Sequence, residues 1–140
     1  MARILVNIDV PSIERAVAFY TEALGLVVGR RFDASFVELL GGESPIYLLE
    51  KPSGSAPFSG AAAPRDYAPH WTPVHLDFAV DDLDAALDRL TRAGASREGD
   101  VSEHAYGRLA LCRDPFGHGL CLLEFRGRGY DELATAPLAR

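Results

Sequence analysis

The sequence predicts an α+β fold in which one β-α-β-β-β unit is written twice, and three observations carry that reading. Val74, Leu76, Phe78 and Val80 alternate with His75, Asp77 and Ala79. A period of two marks a strand with one apolar face and one face bearing an imidazole and a carboxylate. Asp82 then opens a helical pattern of Leu83, Ala86, Leu87 and Leu90. The same order stands near the start: Ile4, Val6, Ile8 and Val10 alternate with Leu5, Asn7 and Asp9, and Ser12 opens a pattern of Ile13, Ala16, Val17, Tyr20 and Leu24. Val80 lies 70 positions after Val10, an offset that pairs Leu5 with His75, Asn7 with Asp77 and Ile13 with Leu83.

The elements follow in order. Residues 3–10 are expected to form a strand and 12–24 a helix, with Gly25 at the position where a left-handed residue ends a helix. Leu26–Phe32, Ser35–Leu40 and Ile46–Lys51 read as three further strands, the last two separated by a Gly41-Gly42 turn. The second half repeats this with a strand at 73–80, a helix at 82–93, and strands at Ser96–Ser102, Arg108–Arg113 and Gly119–Phe125. Ile46-Tyr47-Leu48-Leu49-Glu50 matches Leu120-Cys121-Leu122-Leu123-Glu124. The expected organisation is a first module at 1–51, a linker or lid at 52–72, a second module at 73–126, and a tail at 127–140 with a helix-like piece at Tyr130–Ala134 and a frayed end, all in one structural domain.

Residues 52–72 are rich in Pro, Gly, Ser and Ala and read as structureless. They also hold Phe58, Tyr67, His70 and Trp71, which a spacer does not need. These aromatics either lie over a pocket or a partner subunit, or tack the segment to the surface. Apolar residues make up 48% of the chain, enough for a core. A net charge of −6 argues against a nucleic-acid partner, and no apolar run reaches membrane-spanning length. Two cysteines, Cys112 and Cys121, do not make a disulfide framework. A cytoplasmic protein with no membrane partner is the expectation.

If each helix covers one face of its sheet, the other face must be covered or line a cavity. Two such faces opposed would enclose a pocket holding Asn7, His75 and Asp77 among apolar side chains, the anatomy of a small-molecule site.

The duplication, the helix RAVAFYTEALGL, the strand-to-helix unit VHLDFAVDDLDAA and the hairpin DPFGHGLCLLEF resemble the vicinal oxygen chelate superfamily over residues 3–126. That group includes glyoxalase I, bleomycin-resistance proteins, extradiol dioxygenases and fosfomycin-resistance enzymes. The resemblance implies a sheet-lined cavity, a small-molecule ligand and, in many relatives, a homodimer. It also implies one metal ligand from the first and last strand of each module, here at Leu5, Tyr47, His75 and Cys121. His75 fits that pattern and Cys121 offers a soft thiolate. Tyr47 is a poor donor and Leu5 is none. One divalent ion (Zn, Fe, Ni or Mn) is therefore the implied cofactor, but with two plausible donors tight binding is not expected.

Other residues have two readings each. His75 with Asp77 is either an acid–base pair or an anchor of the pocket floor. His104 and Tyr106 either supply a proton at the pocket mouth or are solvated. Tyr47, Trp71, Tyr106, Asn7 and Cys121 are candidate ligand contacts. Cys112 and Cys121 are placed to face each other across the final hairpin as reduced thiols. Glu50 and Glu124, an odd step from Tyr47 and Cys121, point to the opposite strand face. His118 is expected to be exposed in its turn, while His70 beside Trp71 is placed to close over a ligand. Three functions fit: a metal-dependent lyase, isomerase or dioxygenase-like enzyme; a metal-free binder of the bleomycin-resistance type; and a metal-free enzyme using His75, Asp77 or His104. The aliphatic Leu5 argues against the first.

Overall fold

The computed structural model describes residues 1–136. In the first module, β1 (Val6–Val10), α1 (Ile13–Leu24), β2 (Val27–Asp33), β3 (Phe36–Leu40) and β4 (Ile46–Glu50) follow one another. The second holds β5 (Leu76–Ala79), α2 (Leu83–Arg92), β6 (Ser96–Arg97), β7 (Ser102–His104), β8 (Gly107–Arg113) and β9 (Gly119–Phe125), with a short 3-10 helix at Gly129–Glu132. The strand orders are β1-β4-β3-β2 and β5-β9-β8-β6, with β7 also paired to β8. In each sheet the first strand runs parallel to the last, as β1 to β4 and β5 to β9. The α+β duplication expected from the sequence is therefore present in the topology. The frayed end expected of the tail lies partly on residues 137–140, outside the described residues.

Local chemistry explains the helices. Ser12 accepts from the Arg15 N–H and Asp82 from the Ala85 N–H, each satisfying an orphan donor of the first turn. A second acceptor comes from the sheet in both modules. Glu50 Oε1 takes the Ile13 N–H at 2.8 Å, and Glu124 Oε2 takes the Leu83 N–H at 2.8 Å. Both glutamates thus sit on the helix side of their strands and hold a helix start against a sheet.

The helix-covered faces share one core, which runs from Val10, Phe19, Tyr20 and Leu48 to Leu83, Leu90, Cys112 and Leu122. Two polar links cross between the modules. Tyr20 on α1 donates its hydroxyl to Asp114 Oδ2 at 2.6 Å, with both groups buried. The His118 ring meets the Asp9 carbonyl at 2.7 Å through Nε2.

Five details differ from the sequence expectation. Strands β1 and β5 begin at Val6 and Leu76, not at residues 3 and 73, because their only partners, β4 and β9, begin pairing opposite those residues. The expected strand Ser96–Ser102 is split in two around Gly99, whose φ of +73° turns the chain. Cys112 pairs with Leu120 and Cys121 with Leu111, so the two thiols lie on opposite faces of the hairpin and do not face each other. Asn7, His75 and Asp77 do not line one pocket: the first two border one groove and Asp77 another. Both grooves run along the seam where the edge strands β1 and β5 approach. Finally, residues 52–72 form no helix or strand, as expected, yet they are tied to the rest of the chain rather than loose. The Gly54 N–H donates to the Arg65 carbonyl and the Arg65 N–H to the Ser55 carbonyl, both at 2.8 Å, and the Arg65 side chain binds Asp9 at 2.7 Å. Tyr67 donates its hydroxyl to the Lys51 carbonyl at 2.7 Å.

Candidate functional site: the seam and the two outer sheet faces

The side chains of β5 and β9 that point away from α2 form the first part of the site. Asp77 and Cys121 are register partners, and Cys121 is buried. His75 lies just before the β5 ladder yet keeps the same face, with Nε2 3.1 Å from Asp77 Oδ1. The imidazole, carboxylate and thiol offer donor atoms that all lie within 4.8 Å of one another. Burial pushes the Cys121 thiol up to about 12, and the neighbouring Asp77 carboxylate adds to the shift. Cys121 is therefore a protonated group beside a carboxylate and lacks the lowered pKa a nucleophile needs.

Trp71 and Tyr106 border this trio. The Trp71 ring packs edge-on against the His75 ring at 5.6 Å and 76°. Tyr106 stacks flat on His104 at 4.8 Å and 1°, and His104 Nε2 meets Ser102 Oγ at 2.7 Å. Burial first, then the charges of Tyr130, Asp77 and Cys121, raise the Tyr106 hydroxyl above its ordinary value. Tyr106 thus shares an electrostatic neighbourhood with Asp77 and Cys121.

The matching level of the first sheet is built differently. Asn7, Tyr47 and Glu38 are register partners across β1, β4 and β3. Glu38 is buried, and its carboxylate accepts from Arg30 Nε at 2.9 Å, Arg30 Nη2 at 2.5 Å and the Tyr47 hydroxyl at 3.0 Å. The Arg30 hydrogen bond is the main reason the Glu38 carboxyl falls to about 2. Phe36 lies against both Phe32 and Tyr47, with centroids 4.3 and 5.8 Å away, giving an aromatic shelf beside the ion pair. Nothing in the sequence spacing marks Glu38 and Arg30 as partners. They sit on adjacent strands, whose register shifts at an irregularity between Val28 and Arg31.

Between the two sheets runs a groove of about 420 Å³, lined by Asn7 and Ile8 on β1, Phe78 on β5, and His70, His75 and His118. Asn7 and His75 both line it, without Asp77. Tyr47 stands apart: among the described residues, no hydrogen bond or ring contact joins it to His75, Asp77 or Cys121. His118 is half-buried and doubly bonded through its ring rather than exposed in the turn.

The donor set does not match the four-strand ligand pattern of metal-dependent relatives. Leu5 is aliphatic and exposed, and the Tyr47 hydroxyl is committed to Glu38. What remains is a one-sheet trio of His75, Asp77 and Cys121, a soft and partial set for a divalent ion.

The glyoxalase-like domain profile matches residues 5–123. The chain belongs to the glyoxalase-like family of the vicinal oxygen chelate superfamily. Solved structures share this vicinal oxygen chelate fold. The fosfomycin resistance protein FosX from Listeria monocytogenes superposes with a TM-score of 0.68 at 14% identity, covering 90% of this chain and 94% of that one. Lactoylglutathione lyase from Agrobacterium tumefaciens gives 0.60 at 18% identity, covering 88% and 92%. A glyoxalase/bleomycin resistance protein/dioxygenase family enzyme from Burkholderia phytofirmans PsJN gives 0.64 at 22% identity, covering 87% and 97%. Identities this low establish the fold and carry no activity across. A comparison with curated protein sequences finds no match. No helix among the described residues of this family member is long and apolar enough to cross a membrane.

Proposed function

We propose that this glyoxalase-like protein binds a small, partly aromatic organic molecule along the β1–β5 seam, without a tightly held metal ion, as a cytoplasmic binding or sequestration protein. The observation that carries this reading is the seam groove itself. Apolar walls meet a few polar groups there, Asn7 and His75 among them, and Trp71 packs against His75 at its margin. Among the described residues no ring contact joins the aromatic shelf of the first sheet to His75. A homodimer would supply it by laying the shelf of one copy over the His75 face of another. Light scattering would give twice the chain mass for such a dimer; a monomer at micromolar concentration would remove that part of the reading.

A thermal-shift screen of small aromatic compounds followed by calorimetry tests the binding. Trp71→Ala is expected to weaken the best ligand about 5-fold or more, the worth of one aromatic contact. His75→Ala is expected to weaken it with the melting temperature unchanged. Equal affinity in both variants would remove these residues from the site.

The closeness of the His75, Asp77 and Cys121 donors favours a second reading, an enzyme of the lyase, isomerase or dioxygenase type. A divalent ion there would polarise the oxygens of a small substrate. Elemental analysis and titration with Zn, Fe, Ni and Mn decide between the two. Near-stoichiometric metal that is lost in Cys121→Ser supports the enzyme. No binding of any of the four leaves the organic-ligand pocket.

A further inference from the structure

His70, on the segment after Tyr67, and His118, in the β8–β9 turn, form one hydrogen-bonded chain. His70 Nδ1 lies 2.8 Å from the Ala68 carbonyl. His70 Nε2 lies 3.2 Å from His118 Nδ1. His118 Nε2 lies 2.7 Å from the Asp9 carbonyl. Carbonyl oxygens only accept, so both outer nitrogens must carry a proton. The inner contact joins two ring nitrogens and holds only if one proton lies between them. The arrangement is thus complete with three protons on four nitrogens, one more than two neutral imidazoles possess. With two protons, one contact sets lone pair against lone pair; with four, two N–H groups point at each other.

This pair fastens a strap. The His70 N–H donates to the Gly117 carbonyl at 2.9 Å, and the two histidines form an isolated parallel bridge. Gly117 and Gly119 admit the strap by lacking a side chain. A Cβ on Gly117 would stand 2.5 Å from the Tyr67 carbonyl, and one on Gly119 would stand 2.5 Å from the Trp71 ring. The strap thereby sets Trp71 against His75. His70 and His118 line the same groove as His75.

We propose that the His70–His118 pair is a proton-loaded clasp that holds the 65–72 strap, and with it Trp71, over the β1–β5 groove. This regulates the site assigned above and rests on that reading for its consequence, though not for its chemistry. The surrounding groups are already engaged. From β1 the Asp9 carboxylate is bound by Arg65 of the strap, and from α1 the Tyr20 hydroxyl is bound by Asp114. On the strap, Asp66 accepts the Ala68 N–H, and Tyr67 packs edge-on against the His118 ring while bonding to Lys51. In the turn, Asp114 accepts the His118 N–H, and His75, just before β5, pairs with Asp77. The clasp is closed while the third proton is held and loosens once that proton is removed.

Trp71 is the only tryptophan, so its fluorescence and its quenching by acrylamide report the strap directly. In the ligand-free protein we expect one transition as pH is raised, with quenching stronger on the high-pH side. It should vanish in His70→Gln and in His118→Gln and persist in His75→Gln. A flat profile in the wild type, a transition that survives both clasp substitutions, or one lost only in His75→Gln overturns the proposal. Nitrogen chemical shifts of the wild-type imidazoles count the protons even if a variant fails to fold. Three shared between the two rings below the transition supports the clasp; two or four overturns it. Failure here with ligand binding intact leaves the pocket standing, and a titrating clasp in a protein that binds nothing does the reverse.

Discussion

Glu38 is only 4% exposed, yet it carries a carboxylate held by Arg30 and Tyr47. Its folded pKa of about 2 lies below the ordinary 4.5, so the stabilisation is complete above about 4.5 and is lost as pH falls toward 2. Denaturant melts of Glu38→Gln should show a stability deficit at pH 7 that narrows steadily below pH 4.5. A deficit of constant size across that range would count against the ion pair as its source. The two thiols make a second prediction. Burial holds Cys112 up to about 11 and Cys121 up to about 12. An aromatic disulfide reagent at pH 8 should find neither in the native protein and both after unfolding. Rapid native labelling of Cys121 would contradict the environment described. At this scale the sequence shows some side chains and hides others. Alternation placed His75 and Asp77 on one face. The symmetric spacing of Cys112 and Cys121 misled, because the hairpin register is off by one residue and a single step changes face. The partnership of His70 with His118 spans 48 residues and leaves no periodic trace.

Among the elements, the helices were legible down to their caps, because Ser12 and Asp82 act through neighbours three residues away. The strand beginnings were not, because pairing partners decide where a ladder starts and apolar alternation continues past it. The 52–72 segment was legible in composition only; its order comes from Arg65, Tyr67 and His70 reaching across to β1, the end of β4 and the final hairpin. Gly119→Ala tests that seating. The new methyl would collide with the indole, so Trp71 emission should move toward the red while far-UV circular dichroism stays unchanged. Unaltered emission would mean that the ring does not rest on β9. Removing Glu50 or Glu124 by alanine substitution should lower the melting temperature in each case, since each leaves a helix N–H without its sheet-borne acceptor.

For the molecule as a whole, one core and the Tyr20–Asp114 bond join the modules, so thermal unfolding should be a single transition with matching calorimetric and van't Hoff enthalpies. Tyr20→Phe leaves a buried carboxylate short of one donor and should cost about 1.5–3 kcal/mol in denaturant unfolding. A loss below about 0.5 kcal/mol would show that the bond contributes little to joining the halves. The sequence announced the duplication but left open how the halves meet, because that geometry depends on which faces are buried, and both helix faces are apolar. The glutamate props under the two helices are alike, whereas the rows at one level of the two outer faces, Asn7-Tyr47-Glu38 and Asp77-Cys121-Leu111, share no residue type. Scaffold and recognition are thereby uncoupled: each row can be rewritten for a new guest without disturbing its counterpart or the frame beneath, like two halves of a mould that can be recut separately.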